Sequence, residues 1–352
     1  MAAKKKPPRA AKASQTKKKP KAPAKKAAPA RKVAVTGQTL RLAAKRGAVQ
    51  VRRAGEAYVE KATELEAARI ERAETEQALA AFYAAEAARE KRPFFNFLAQ
   101  GDSWFDYTCG FAIIHWLQAL FKPENAYFKN IAASGRTLRQ MLSSDFKDEL
   151  AAGPPSGARW SGILLSGGGN DICGDHRFRD WLKPNDGGAH PPDYYITPAF
   201  DHELGILEGI YEEAIALVRS VTPGVRLFVH DYDFAIPDGR CVTGRSPHLP
   251  ADFRFCFAGP WMWPAFEERG FQKPGDPVPQ LTKDIVTVVL KRFADKLVGL
   301  AKKYPNQLVL VRTQGTLKPT QDAKLWANEL HPYNDSFALL AKPFYEELRL
   351  LQ

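Results

Sequence analysis

The stretch "FLAQGDSWFDY", Phe97 to Tyr107, is where the reading of this chain turns. A short apolar run stops abruptly at Gly101-Asp102-Ser103, a change that marks a buried strand giving way to a turn and then a helix. At such a junction Asp or Ser is first of all a cap, its side-chain oxygen accepting from free backbone N–H groups. The carboxyl end of a strand is also where open α/β sheets bind their ligands. The residue types allow Ser103 either use, so the rest of the chain has to decide.

Further short apolar runs read as buried strands: "FFNFLAQ", which overlaps the first stretch, then "AYFKNIAA", "SGILLSG", "VRLFVHDYD" and "NQLVLVRT". Helical patterns separate them: "GFAIIHWLQALF", "TLRQMLSSDFKDELAA", "ELGILEGIYEEAIALVRSV", "QLTKDIVTVVLKRFADKLVGLAKKY" and the terminal "DSFALLAKPFYEELRLL". Strands alternating with helices predict a parallel sheet covered on both faces, an α/β sandwich of three layers spanning residues 93–352. The segment 233–279 breaks the alternation. It is rich in Pro, Gly and aromatics ("GPWMWPAFEERGF") and reads as a long ordered loop or lid.

Upstream of the sheet the composition changes twice. Residues 1–32 carry thirteen Lys and Arg with no Asp or Glu. Once those thirteen are taken from the net charge of +12, the rest of the chain sums to −1. Ala, Lys and Pro without aromatics cannot bury enough apolar surface to offset ordering, so residues 1–47 are expected to be a disordered tail. Such a tail binds polyanions through counterion release, which leaves nucleic acid or an anionic surface as non-specific partners. Residues 48–92 follow, rich in Ala, Glu, Leu and Arg, and free of Gly and Pro between Glu56 and Pro93, which predicts one long helix. Its apolar stripe is broken by Arg72 and Thr75, so packing of its Ala-rich face on the body is favoured over a sustained coiled coil.

No apolar run reaches the roughly 20 residues that span a bilayer. No apolar stretch follows the basic N-terminus as in a secretory signal, and a cytoplasmic protein is therefore expected. Cys109, Cys173, Cys241 and Cys256 lack metal-ligand spacing and are expected as free thiols, although Cys241 and Cys256 could close a loop in an oxidising compartment. Nothing in the sequence calls for a metal or a cofactor.

Four positions stand just beyond predicted strands or before the last helix: Ser103, Gly135 in "NIAASGRTL", Asn170 in "LLSGGGNDI" and His331 in "WANELHPYN". Together they bring a hydroxyl, an unhindered backbone N–H, a side-chain amide and an imidazole, the inventory that acyl transfer needs. Their order and local sequence resemble the SGNH hydrolases, the GDSL-type esterases and lipases, over about 260 residues from Phe94 onward. The matching blocks are Gly101-Asp102-Ser103, Gly135, Gly168-Gly169-Asn170-Asp171, and Asn328 through His331-Pro332. That resemblance implies an SGNH/flavodoxin-like sheet and hydrolysis of carboxylic esters or thioesters without metal or cofactor. It implies Ser103 as nucleophile, His331 as general base, and an oxyanion hole from the N–H groups of Ser103 and Gly135 with the side chain of Asn170. No GxSxG elbow occurs, against the ordinary α/β-hydrolase alternative.

Two residues depart from the family pattern. Trp104 follows the serine where a small aliphatic residue is usual, and Asn328 stands three before the histidine where the family has Asp. An amide oxygen can orient His331 but cannot stabilise the imidazolium by charge. The orienting group is thus left open among Asn328, Glu329, Asp322 and a backbone carbonyl, with Asn328 or a carbonyl favoured. The alternative function is an impaired SGNH-like scaffold whose basic tail binds polyanions. Asp171 is expected to order its loop. Trp261, Trp263 and Phe266 are read either as walls of an acyl pocket or as anchors of the long loop. The remaining histidines, His230 among them, are read as core or loop residues.

Overall fold

The computed structural model describes residues 94–107, 110–245, 254–272 and 277–351. The basic tail and the expected helix over 48–92 lie outside the described residues, as does Cys109. Five strands form a wholly parallel sheet: β1 (Phe95–Gly101), β2 (Ala126–Asn130), β3 (Gly162–Ser166), β4 (Leu227–His230) and a last strand, Leu308–Val311. Their spatial order is β2, β1, β3, β4, last strand, so the chain reverses its direction of travel across the sheet between β1 and β3. The crevice at such a switch point is where open sheets take ligands, and the serine and Asn170 blocks follow β1 and β3.

Every residue of β1, β3 and β4 is buried. That is why these strands read as continuous apolar runs rather than as alternating ones: both faces are covered. α1 (Ile113–Leu120) packs with the C-terminal helix, Asn334–Leu348, and α2 (Leu138–Met141) and α3 (Ser144–Ala152) follow β2. α4 (Gly169–Cys173) follows β3 directly, and α5 (Pro198–Val221) packs against both α3 and the long helix Gln280–Lys303. Three ion pairs step along those two long helices: Asp201 with Arg292, Glu208 with Lys296, and Glu212 with Lys303. Exposed pairs of this kind contribute little each, but they fix the sliding register of the two helices. Gly101 closes β1 where a Cβ would lie 2.9 Å from both the Cβ and the carbonyl oxygen of Ser166, so only glycine lets the two strand ends approach.

Two expectations need correcting. The helix read over 137–152 is divided, because Thr137 and Gln140 form a reciprocal cap that starts α2, and the chain breaks at Leu142 before α3 begins. The segment 233–279 is not one loop: it carries an antiparallel hairpin, β5 (Val242–Arg245) with β6 (Arg254–Ala258), followed by α6 (Trp263–Glu268). Cys241 and Cys256 are joined across that hairpin, their Cα atoms 5.6 Å apart, so they are not free thiols. Cys173 is a buried free thiol. With the hairpin placed, the last sheet strand is β7 (Leu308–Val311), the long helix is α7 (Gln280–Lys303) and the terminal helix is α8 (Asn334–Leu348). No helix among the described residues is long and apolar enough to cross a membrane.

Candidate active site

The first turn after β1 settles how Asp102 and Ser103 divide their tasks. Asp102 does the capping: its Oδ1 accepts from Trp104 N–H at 3.0 Å, and its carbonyl accepts from Phe105 and Asp106 N–H at 3.1 and 3.0 Å. Ser103 is left with its hydroxyl free of the backbone, and its Oγ lies 2.6 Å from Nε2 of His331. The two come from positions 228 residues apart. His331 sits in a tight turn closed by Ala327 N–H donating to its carbonyl at 2.8 Å and by a bridge between Trp326 and Pro332. Trp104 ties this turn to the serine turn, its indole N–H donating to Leu330 carbonyl at 3.1 Å. The aromatic residue that departs from the family pattern thus holds the two halves of the site together.

The other ring nitrogen of His331, Nδ1, is 2.9 Å from Oδ1 of Asn328. Chemistry fixes which way this amide faces. Oδ1 also accepts from the backbone N–H groups of Leu330 and His331, each at 3.0 Å, and only an oxygen can accept. Nδ2 donates to Tyr107 Oη at 3.2 Å. An oxygen opposite Nδ1 requires Nδ1 to carry the proton, which leaves Nε2 as the acceptor facing Ser103. Tyr107 stacks on the imidazole at 4.4 Å and Trp261 meets it edge-on at 5.5 Å. Burial lowers the pKa of His331 to about 3, so the ring is neutral at ordinary pH.

The carboxylates considered for orienting His331 have other work. Glu329 is wholly buried and accepts from four backbone N–H groups: Gly239, Trp261, Met262 and Trp263, at 2.5 to 3.1 Å. It pins the start of α6 to the histidine turn, and burial raises its pKa to about 7 against those four bonds. Asp322 caps a short turn by accepting from Lys324 N–H.

Asn170 lies in the first turn of α4, its Nδ2 donating to Arg136 carbonyl at 3.0 Å. An amide NH₂ has two protons, so one remains for a ligand. Gly135, at φ +83° with open space where a Cβ would stand, occupies the turn just before Arg136. That turn is tied to the serine turn by Ser134 Oγ donating to Asp106 carbonyl at 2.6 Å. Asp171 Oδ2 accepts from Leu138 N–H at 2.8 Å, which holds α4 against the start of α2, and burial raises its pKa. Ser103 and Asn170 both line one cavity. Of the loop aromatics, Trp263 stacks on Phe266, and Phe266 packs on Phe178; neither Trp263 nor Phe266 lines that cavity, whereas Met262 between the tryptophans does.

Beneath the site runs a buried polar network that reading the sequence misses. Tyr232 Oη donates to Asp102 Oδ2 at 2.5 Å, Ser166 Oγ donates to Asp102 Oδ1 at 3.0 Å, and His230 Nε2 is 2.8 Å from Ser166 Oγ. Burial raises the pKa of Asp102 to about 6, opposed by those two bonds and by Trp104 N–H. Burial lowers His230 to about 3. Beyond β4 and β7, Asp231 accepts from Thr313 and Gln314 N–H, and Asp233 from Gly315 and Leu317 N–H, stitching the two strand ends together. The signal for this was the polar cluster "HDYD" ending a strand, next to the GDS block in space but not in sequence.

No protein-family model and no curated protein matches the chain. Solved structures do resemble it. Three of them are named as lipases or esterases. A lipase from a goat rumen metagenome is 11% identical, with 72% of this chain and 96% of that one covered and a TM-score of 0.46. A member of the lipolytic G-D-S-L family from Veillonella parvula is 13% identical, over 72% and 97%, at 0.40. An acetylxylan esterase from Geobacillus stearothermophilus is 18% identical, over 72% and 94%, at 0.37. At these values the functional reading rests on the site's own geometry.

Proposed function

We propose that the chain is an SGNH-type serine hydrolase that cleaves carboxylic esters or thioesters through an acyl-enzyme on Ser103. The observation that carries this is the contact of 2.6 Å between Ser103 Oγ and an imidazole whose tautomer Asn328 fixes. As Ser103 Oγ bonds to the acyl carbon, its proton passes to His331 Nε2. The carbonyl oxygen takes the negative charge, facing the backbone N–H groups of Ser103 and Gly135 and the free proton of Asn170. The tetrahedral centre then expels the alcohol or thiol, which takes the proton from Nε2. Water repeats the sequence on the acyl-enzyme, giving the carboxylic acid and restoring the hydroxyl.

Asn328 supplies half of what an aspartate supplies. In a serine protease, replacing that Asp by Asn costs about 10⁴ in turnover because the wrong tautomer results. Here the amide oxygen faces Nδ1, so the tautomer is the productive one and only the stabilisation of the imidazolium is forgone. The expected enzyme is active but slowed in acylation and deacylation alike, because an imidazolium forms in both steps.

Mixing the purified protein with p-nitrophenyl acetate tests this reading. A burst of p-nitrophenol equal to the enzyme concentration, absent from Ser103→Ala, is the expected result. Equal rates for both proteins would remove Ser103 from the mechanism.

A further inference from the structure

The cavity beside Ser103 has a volume of about 40 Å³. Its wall includes Ser103 and Asn170, and beyond them Ile172, Phe178, Met262, Val286 and Leu290. Two carboxylates also border it, but both are already bonded. Asp102 accepts from Tyr232, Ser166 and Trp104, and Asp233 from the N–H groups of Phe234, Gly315 and Leu317. With those groups satisfied internally, the cavity offers a ligand polar partners at Ser103 and Asn170 and an apolar surface elsewhere. An acyl group has that distribution, with its carbonyl at one end and alkyl carbons behind it.

Which part of an ester enters follows from the position of the base. The leaving oxygen must take its proton from His331 Nε2, so the leaving group departs on the imidazole's side. His331 and the rings around it, Tyr107 and Trp261, are not in the cavity wall. The space bordered by Ser103 and Asn170 without His331 is therefore on the acyl side. It is a small space, with room for a short alkyl chain rather than a long one. The helix α7 supplies Val286 and Leu290 one turn apart, a rigid floor that a longer chain would have to displace.

Building on the hydrolase reading above, we propose that this cavity is the acyl pocket and restricts the enzyme to short acyl groups, acetyl to butyryl, with Phe178, Met262, Val286 and Leu290 setting the limit. The test compares kcat/KM for p-nitrophenyl acetate, butyrate and octanoate in the full chain, its Leu290→Ala variant and its Val286→Phe variant. Each protein is also labelled with a small fluorophosphonate, which reports a folded, activated Ser103 irrespective of acyl preference. Wild type is expected to favour acetate over octanoate by at least about 100-fold, in line with what a few misfitting methylenes cost. Leu290→Ala should raise the octanoate-to-acetate ratio at least about tenfold, and Val286→Phe should lower the butyrate-to-acetate ratio by a similar factor. A labelled wild type that turns over octanoate as well as acetate overturns the pocket while leaving the hydrolase standing. So do labelled variants whose ratios match wild type. Absence of both labelling and turnover in wild type overturns the hydrolase reading and the pocket with it.

Discussion

Among the described residues, two serine–histidine pairs have nearly the same length, Ser103 with His331 at 2.6 Å and Ser166 with His230 at 2.8 Å. Both lie at the carboxyl edge of the sheet and both imidazoles are lowered to about 3 by burial. They differ in where the hydroxyl proton is committed. Ser166 Oγ lies between two acceptors for its one proton, Asp102 Oδ1 at 3.0 Å and His230 Nε2 at 2.8 Å, inside a sealed polar network, and the pair is a strut. Among the described residues the Ser103 hydroxyl has no acceptor besides His331 Nε2, so its proton points at a base. They differ also in surroundings: Ser166 is sealed at 0% exposure, whereas Ser103 lines a cavity next to an amide with a spare proton. A close Ser–His distance is therefore not enough; an uncontested proton, a neighbouring amide donor and access set the proposed nucleophile apart.

The sharpest way to break the comparison is to remove each hydroxyl in turn. Ser103→Ala should lower ester turnover by at least about 10³, while Ser166→Ala should stay within about tenfold of wild type. Ser166→Ala strips Asp102 and His230 of a buried partner, costing about 1–3 kcal/mol, and should instead show as a melting temperature lower by several degrees. A catalytic loss for Ser166→Ala equal to that for Ser103→Ala would erase the distinction. Next in size is Asn170→Ala, expected to lower kcat by about 10²–10³ with a small change in KM, because an oxyanion donor acts in the transition state. An effect confined to KM would move Asn170 out of the oxyanion hole.

Asn328→Asp sharpens the comparison from the base's side. A carboxylate facing Nδ1 stabilises the imidazolium, so kcat should rise, by about tenfold as an order of magnitude. The pH profile should change with it. In wild type the base is neutral down to about pH 3, so no acid limb belonging to His331 should appear near neutrality. In the variant the ring's pKa rises and such a limb moves up into the measured range. An unchanged profile would mean that Asn328 does not govern the base.

The smallest effect expected is on stability, through Glu329. Burial raises its pKa in the fold from the ordinary glutamate value of 4.5 to about 7, so between those values the folded chain holds a proton that the unfolded chain releases. The stability this contributes is present at pH 4 and is lost as pH rises through about 7. Glu329→Gln removes that dependence along with one acceptor oxygen. The melting temperature should drop, and its decline from pH 5 to pH 8 should become shallower. Parallel melting curves for the two proteins at both pH values would contradict this.

The sheet was legible because β1, β3 and β4 are buried throughout and so read as short apolar runs that stop at Gly, Ser or His. The site was legible in part because Ser103 and Asn170 stand just past strand ends and His331 just before the terminal helix. What could not be read depends on partners far away in sequence. Asp102 looked interchangeable with Ser103 as a cap until Ser166 and Tyr232, 64 and 130 residues further on, were seen to converge on it. Glu329 looked like a possible partner of His331 because it is near in sequence, yet its turn points it at the N–H groups of residues 261–263. Likewise the hairpin within 233–279 is closed by two cysteines whose pairing their spacing leaves open. His230 taken by itself gave no signal: a histidine ending a buried strand is ordinary until the HDYD cluster it opens is found beside Ser166.

Only one hydroxyl of the four groups in these two pairs should behave as an activated nucleophile. Treating the intact protein at pH 7 with a fluorophosphonate and mapping the adduct by peptide mass spectrometry reads this without a choice of substrate. A single stoichiometric adduct on Ser103, lost in a His331→Ala variant, is the expected result. An adduct on Ser166, or no adduct on a folded protein, would contradict the account.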